Sequence, residues 1–102
     1  MKNHNIISEN HLDILHHIQN DSSSSQRQMS KKFGLSIGKV NYIIKSLLGI
    51  GYIKIENFRN SSNKINYIYI LTPKGIKEKT KITNHFINKK KLEYDKLNSY
   101  LN

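Results

Sequence analysis

The stretch Gly34-Leu-Ser-Ile-Gly-Lys-Val-Asn-Tyr-Ile-Ile-Lys-Ser-Leu-Leu-Gly-Ile-Gly-Tyr-Ile53 decides how the rest of the chain is read. Ser36 is a favoured helix N-cap, because its hydroxyl can accept from an amide that the first turn of a helix leaves unpaired. Leu35 before it and Val40 after it have the spacing of a hydrophobic staple. Ile37, Val40, Ile44, Leu47 and Leu48 recur at helical spacing and predict one apolar face. Lys39, Asn41, Tyr42 and Lys45 fall on the opposite face. Gly49 and Gly51 predict the end of the helix, since glycine accepts the left-handed conformation found there. Ile53 opens a β-like run. A helix with one buried face and one basic, amide-rich face, entered through a tight turn at Gly34, has the pattern of the second helix of a helix-turn-helix.

Working outward towards the N-terminus, Ser25 and Gln28 match a capping box and predict a short helix from Gln26 to Phe33, with Met29 and Phe33 inward. Asp21 to Ser25 reads as a polar connector. Ser8 caps a first helix that ends near Asn20, with Ile7 and Leu12 as a staple and Leu12, Ile14, Leu15 and Ile18 as its buried stripe. Residues 1–6 are expected to be disordered. Towards the C-terminus, Tyr52 to Asn57 predicts a strand with Ile53 and Ile55 on one face. Residues 58–64 are turn-rich, and Ile65 to Leu71 predicts a second strand, dense in β-branched and aromatic residues. The two form a hairpin with a basic tip. Thr72 and Pro73 open a last helix, and Leu71 with Ile76 makes a third staple. Neither Gly nor Pro interrupts the chain after Gly75, which predicts one long helix to about Tyr100. The expected fold class is α+β, mostly α: a winged helix-turn-helix over residues 7–80, with a C-terminal helical extension over residues 81–102.

The bulk properties agree with a partner of negative charge. The chain of 102 residues holds 17 Lys and Arg against 7 Asp and Glu, a formal net charge of +10. That is enough chain for one domain and attracts polyanions. The chain is rich in Asn, Ile and Lys, as codon bias in an AT-rich genome would make it, but such bias does not explain the distribution of charge: between Asp21 and Glu78 the only acid is Glu56. The absence of cysteine excludes disulfides, thiolate metal sites and thiol redox sensing. No apolar run approaches a membrane span, and the polar N-terminus does not read as a secretory signal, so a cytoplasmic protein is expected.

The residues Gln26 to Phe33, Gly34-Leu-Ser36, Lys39-Val-Asn-Tyr-Ile-Ile-Lys45, Leu47-Leu48, Gly51-Tyr-Ile53 and Leu71-Thr-Pro-Lys-Gly75 are similar to those of MarR-type winged-helix transcription regulators. Asn57-Phe-Arg-Asn-Ser61, Lys64 and the Tyr67–Gly75 string resemble the short subgroup associated with exopolysaccharide gene clusters. The resemblance covers roughly residues 7–94 and implies DNA binding. Members of that family dimerise through helices at both ends and often hold a small ligand near that junction. This chain starts almost at its first core helix, so less material for such a pocket is expected, and any effector is unknown.

The candidate DNA-binding residues follow from chemistry and position. Lys39 suits guanine O6 and N7 or phosphate, and Asn41 suits adenine. Tyr42 suits a thymine methyl or a phosphate. Ser36 and Lys45 suit the backbone, and Gly38 lets the helix approach closely. Gln26 and Arg27 lie in the first turn of a helix, where anions are attracted. Arg59, Asn60 and Lys64 mark the wing tip, which by resemblance lies on the backbone or in the minor groove, where narrow A·T tracts favour Arg. Ile87, Tyr94 and Leu101 lie seven apart and Leu97 four before Leu101, a short pairing seam for a homodimer. His4, His11, His16, His17 and His85 form no ligand spacing, so no metal is expected and exposed or half-buried histidines are. No cofactor is expected. No Gly-rich phosphate loop, His-Glu-x-x-His or cysteine nucleophile is present, and an enzyme is not expected. The reading is a sequence-specific double-stranded DNA-binding transcription regulator, a repressor by expectation. Its rivals are a sequence-neutral DNA binder and a winged-helix protein-interaction module.

Overall fold

Each helix among the described residues starts at a hydroxyl. Ser8, Ser25, Ser36 and Thr72 are the N-caps of α1 (Glu9–Asn20), α2 (Gln26–Phe33), α3 (Ile37–Gly49) and α4 (Pro73–Ser99). The chain is seen here as a computed structural model, which describes residues 7–59, 62 and 65–102. The expectation for residues 1–6 lies outside these. Between α3 and α4 run β1 (Ile53–Arg59) and β2 (Ile65–Leu71), antiparallel from Ile53 opposite Leu71 to Arg59 opposite Ile65.

The turn between α2 and α3 is three residues long because its groups pair locally. Gly34 takes a left-handed φ of 66°. The Leu35 N–H reaches back to the Ser30 carbonyl at 3.1 Å, and the Ser30 hydroxyl donates to the Leu35 carbonyl at 2.5 Å. Such reverse bonds satisfy carbonyls that a helix end leaves open. Ser36 then caps α3 at once. At the other end of α3, Gly51 takes a left-handed φ of 79°. Gly49 is still helical, so of the two expected terminators only Gly51 adopts that conformation.

α3 is the centre of the core. Val40, Ile43, Ile44 and Leu47 are buried against Ile14, Leu15 and Ile18 of α1, Met29 of α2 and Ile53 of β1. Two sequence expectations change here. Ile37 is 44% exposed, because it sits at the edge of the buried arc, and Ile43, which lies inside that arc, is buried instead. In β1 only Ile53 is buried, and Ile55 is 47% exposed, because β1 is the outer strand while β2 stays on the body through Tyr69. β1 also runs to Arg59, past the expected Asn57. The Tyr69 N–H donates to the Ser22 carbonyl at 3.3 Å, which ties the polar connector to β2.

The string Leu71–Gly75 makes the joint between the hairpin and α4. Leu71 packs on the core. The Thr72 hydroxyl accepts from the Gly75 N–H at 3.0 Å and donates to the Gly51 carbonyl at 2.5 Å. Pro73 occupies the first turn, where its missing N–H costs nothing. The Lys74 ammonium donates to the Ile50 carbonyl at 3.0 Å, at the negative end of α3. Gly75 passes so close to the Tyr52 carbonyl that a Cβ would collide with backbone. Burial, and then the Glu78 carboxylate, push the Tyr52 hydroxyl above its ordinary pKa.

α4 begins on the body and ends off it. Its 27 residues span about 40 Å at 1.5 Å each. The radius of gyration is 16.5 Å, whereas a compact chain of this length has about 13 Å. Lys79 bridges α4 to His16 and Gln19 of α1, and Lys90 pairs with Glu9 at 3.0 Å. Beyond Lys90 every side chain of α4 is exposed.

Candidate nucleic-acid interface

Because Val40, Ile43, Ile44 and Leu47 face the core, α3 must present Gly38, Tyr42 and Lys45 on the opposite side, and all three are exposed. Nothing shields the start of this face. A Cβ built on Gly38 would meet only the Ser36 hydroxyl, at 3.9 Å. The Ser36 hydroxyl accepts from the Lys39 N–H at 3.0 Å. The Lys39 ammonium lies 5.3 Å from the centre of the Tyr42 ring, within cation–π range. Tyr42 is 60% exposed and its ring meets the edge of His11 at 6.3 Å and 79°.

His11 is a correction to the expectation of exposed or half-buried histidines: it is 3% exposed. It is buried because it completes the capping box of α1. Its Nδ1 accepts from the Ser8 N–H at 3.2 Å and lies 2.6 Å from the Ser8 hydroxyl, while the His11 backbone N–H donates to that hydroxyl at 3.3 Å. Nε2 is buried with no hydrogen-bond partner among the described residues. Burial, and then the nearby Lys39 ammonium, hold the imidazole below its usual pKa. A neutral ring therefore supports the Tyr42 side of α3 from behind.

Asn41 lies at the edge of α3 that meets α2, and it is half-buried. Its Nδ2 donates to Gln26 Oε1 at 3.3 Å, and Gln26 Nε2 donates to the Tyr69 hydroxyl at 3.1 Å. Gln26 thus uses one of its two Nε2 N–H bonds within the protein and is half-buried, whereas Arg27 beside it is exposed. On the wing Arg59 is exposed at the end of β1. Asn60 and Lys64 lie outside the described residues. Glu56, the one acid of this region, pairs with Lys54 at 3.3 Å, an exposed pair worth at most about 1 kcal/mol.

Three residues of this surface escaped sequence reasoning. Tyr67 pairs across from Asn57 and is 67% exposed, on the same strand face as Tyr69. The two-residue period from Leu71 through Tyr69 to Tyr67 was the available signal. Tyr69 and His11 act through Gln26 and Tyr42, contacts between distant segments that no local pattern encodes.

The expected pairing residues lie elsewhere. Ile87 borders an open apolar groove of about 350 Å³ between α1 and α4, lined also by Glu9, Leu12, Thr83, Phe86 and Lys90. Tyr94, Leu97 and Leu101 follow on the free part of the chain, all exposed. At about 100° per residue these three and Ile87 fall within roughly 80° of arc, one stripe continuous with the face packed on α1. No helix among the described residues is long and apolar enough to cross a membrane.

A family profile described as winged helix-turn-helix DNA-binding matches residues 7–54, from the start of α1 into β1. The fold is a winged helix-turn-helix. Solved structures with the same arrangement include Streptococcus pneumoniae FabT in complex with DNA, at a TM-score of 0.57 and 21% identity, over 87% of this chain and 61% of that one. Two variants of Lactococcus lactis ZitR match at TM-scores of 0.62 and 0.61 and 18% identity, over 95% of this chain and 64% of theirs. The chain thus spans a little under two thirds of the length of the structures that it resembles. No curated protein matches it in sequence. In this winged helix-turn-helix, α2 and α3 form the helix-turn-helix and the β1–β2 hairpin is the wing.

Proposed function

We propose that the chain is a sequence-specific double-stranded DNA-binding transcription regulator that represses by occupying promoter DNA. The observation that carries this is the outward face of α3. It has no acid, no bulk at Gly38, and cations at Lys39 and Lys45 on either side of an exposed Tyr42. Such a face fits a major groove, where a helix enters and its N-terminal residues meet base edges. Ser36 and Arg27 serve the phosphates at the starts of α3 and α2, and Arg59 carries the wing to the backbone or minor groove. The profile match and the DNA complex of FabT support the same partner.

The stripe of Ile87, Tyr94, Leu97 and Leu101 supports a homodimer. Two α4 helices pairing along it bring two recognition helices to one face of a duplex. The operator is then a pseudo-palindrome with half-sites about 34 Å apart. The protein acts in the cytoplasm, and the likeness of the wing and joint strings to the short exopolysaccharide-associated regulators supports a role of that kind.

Selection from a random duplex library, followed by anisotropy titration of the winner against scrambled DNA, tests this reading. A two-fold-symmetric motif with an affinity gap of about 10³ or more is expected. Equal, steeply salt-dependent binding to every duplex would leave only phosphate contact and a sequence-neutral binder.

A further inference from the structure

The hydrogen-bond chain from Asn41 through Gln26 to Tyr69 joins the recognition helix, the start of α2 and the wing. We infer that Gln26 and Tyr69 are positioning residues that set the base preference of Asn41, although neither needs to touch a base. This rests on the DNA-reading function proposed above and deepens it.

The reasoning is one of donors and acceptors. A carboxamide reads adenine by giving one N–H to N7 and taking one from N6 with its oxygen. Asn41 has two N–H bonds on Nδ2. One is given to Gln26 Oε1 at 3.3 Å, which leaves one N–H and Oδ1, the pair that adenine requires. Turning the Asn41 carboxamide over would place Oδ1 against Gln26 Oε1, two acceptors with no hydrogen between them. Gln26 is itself held in place, because its Nε2 donates to the Tyr69 hydroxyl at 3.1 Å. Tyr69 is fixed in its turn: its ring packs on the core and its N–H is bonded to the Ser22 carbonyl. The placement of a reading group on α3 is thus held, through Gln26, by a residue on the wing strand. All three side chains are half-buried, where water competes poorly for these bonds.

The test is the selected motif of the full chain and of three variants. Tyr69→Phe keeps the ring and deletes the acceptor that holds Gln26. It is expected to lose about three- to tenfold discrimination at a single base pair of each half-site, the range of one hydrogen bond. The slope of log affinity against log salt stays unchanged, because no phosphate contact is lost. Asn41→Ala removes discrimination at the same base pair, and adding Tyr69→Phe to it has no further effect. Gln26→Glu still accepts from the Asn41 amide and can accept from the Tyr69 hydroxyl. It keeps the motif and weakens binding to all sequences through its negative charge. A Tyr69→Phe protein with the wild-type motif overturns the inference and leaves the proposed function standing, as does a loss spread evenly over all positions. A wild-type protein that selects no motif overturns both.

Discussion

α3 and α4 are both amphipathic, but they have opposite unfinished faces. α3 spends most of its apolar side chains inside the monomer: Val40, Ile43, Ile44 and Leu47 are all buried, and apart from Ile37 what stands exposed is basic, aromatic or bare glycine. α4 is twice as long, and its one buried residue is Gly75. Among its charged residues it leaves an apolar stripe outside, which runs on past its end, with Leu97 at 62% and Leu101 at 82% exposure. A polar surplus asks for a charged partner and an apolar surplus asks for a protein surface. Under the proposed function, DNA falls to the first helix and a second copy of the chain to the other.

The largest effect that would break this comparison is in the core. Leu47→Ala should lower the free energy of unfolding by about 2–5 kcal/mol in urea titration. Leu97→Ala should cost the monomer no more than about 0.5 kcal/mol, while sedimentation shows the dimer dissociating at lower dilution. A wild-type chain that sediments as a monomer at micromolar concentration would remove the assignment of α4.

Two glycines sharpen the contrast by responding in opposite directions. Gly75→Ala drives a methyl into the Tyr52 carbonyl and should destabilise by roughly 1–3 kcal/mol, the range of overpacking. Gly38→Ala meets only the Ser36 hydroxyl, at an ordinary contact distance, and should raise stability by up to about 1 kcal/mol through helix propensity. Thermal unfolding measures both. If α3 lies in a groove, the same Gly38→Ala protein binds its operator more weakly despite melting higher.

Lys45→Ala should leave stability within about 0.5 kcal/mol. It should reduce the slope of log affinity against log salt by about one, with similar loss on all sequences, as expected for a phosphate contact. Lys91→Ala, on the far part of α4, should leave that slope unchanged.

The smallest effect is that of pH. The folded chain holds the His11 imidazole below its ordinary value of 6.5, chiefly through burial. The unfolded chain therefore binds the proton more readily, and folding stability from this group is intact above about pH 6.5 and is lost as pH falls towards the folded value. In His11→Gln the glutamine can complete the capping box without titrating. Urea unfolding between pH 5 and 8 should show a shallower dependence for the variant than for the wild type.

Much of this was legible because it is local. The caps at Ser8, Ser25, Ser36 and Thr72, the turn at Gly34 and the bounds of α2 and β2 depend on residues within a few positions of each other. The burial of Ile43, the exposure of Ile55 and the burial of His11 were not, since each depends on which neighbour a finished helix or hairpin meets. The tie between Gln26, Asn41 and Tyr69 was hidden for the same reason: its members come from three elements, and each alone reads as a surface polar residue.

Amide chemical-shift mapping of the full chain against its selected duplex tests the division between the two helices most directly. The account predicts large shifts at Gly38, Lys39, Tyr42 and Lys45, at Arg27 and at Arg59, with Leu92 to Leu101 unmoved. Shifts concentrated on α4, with α3 silent, would contradict it.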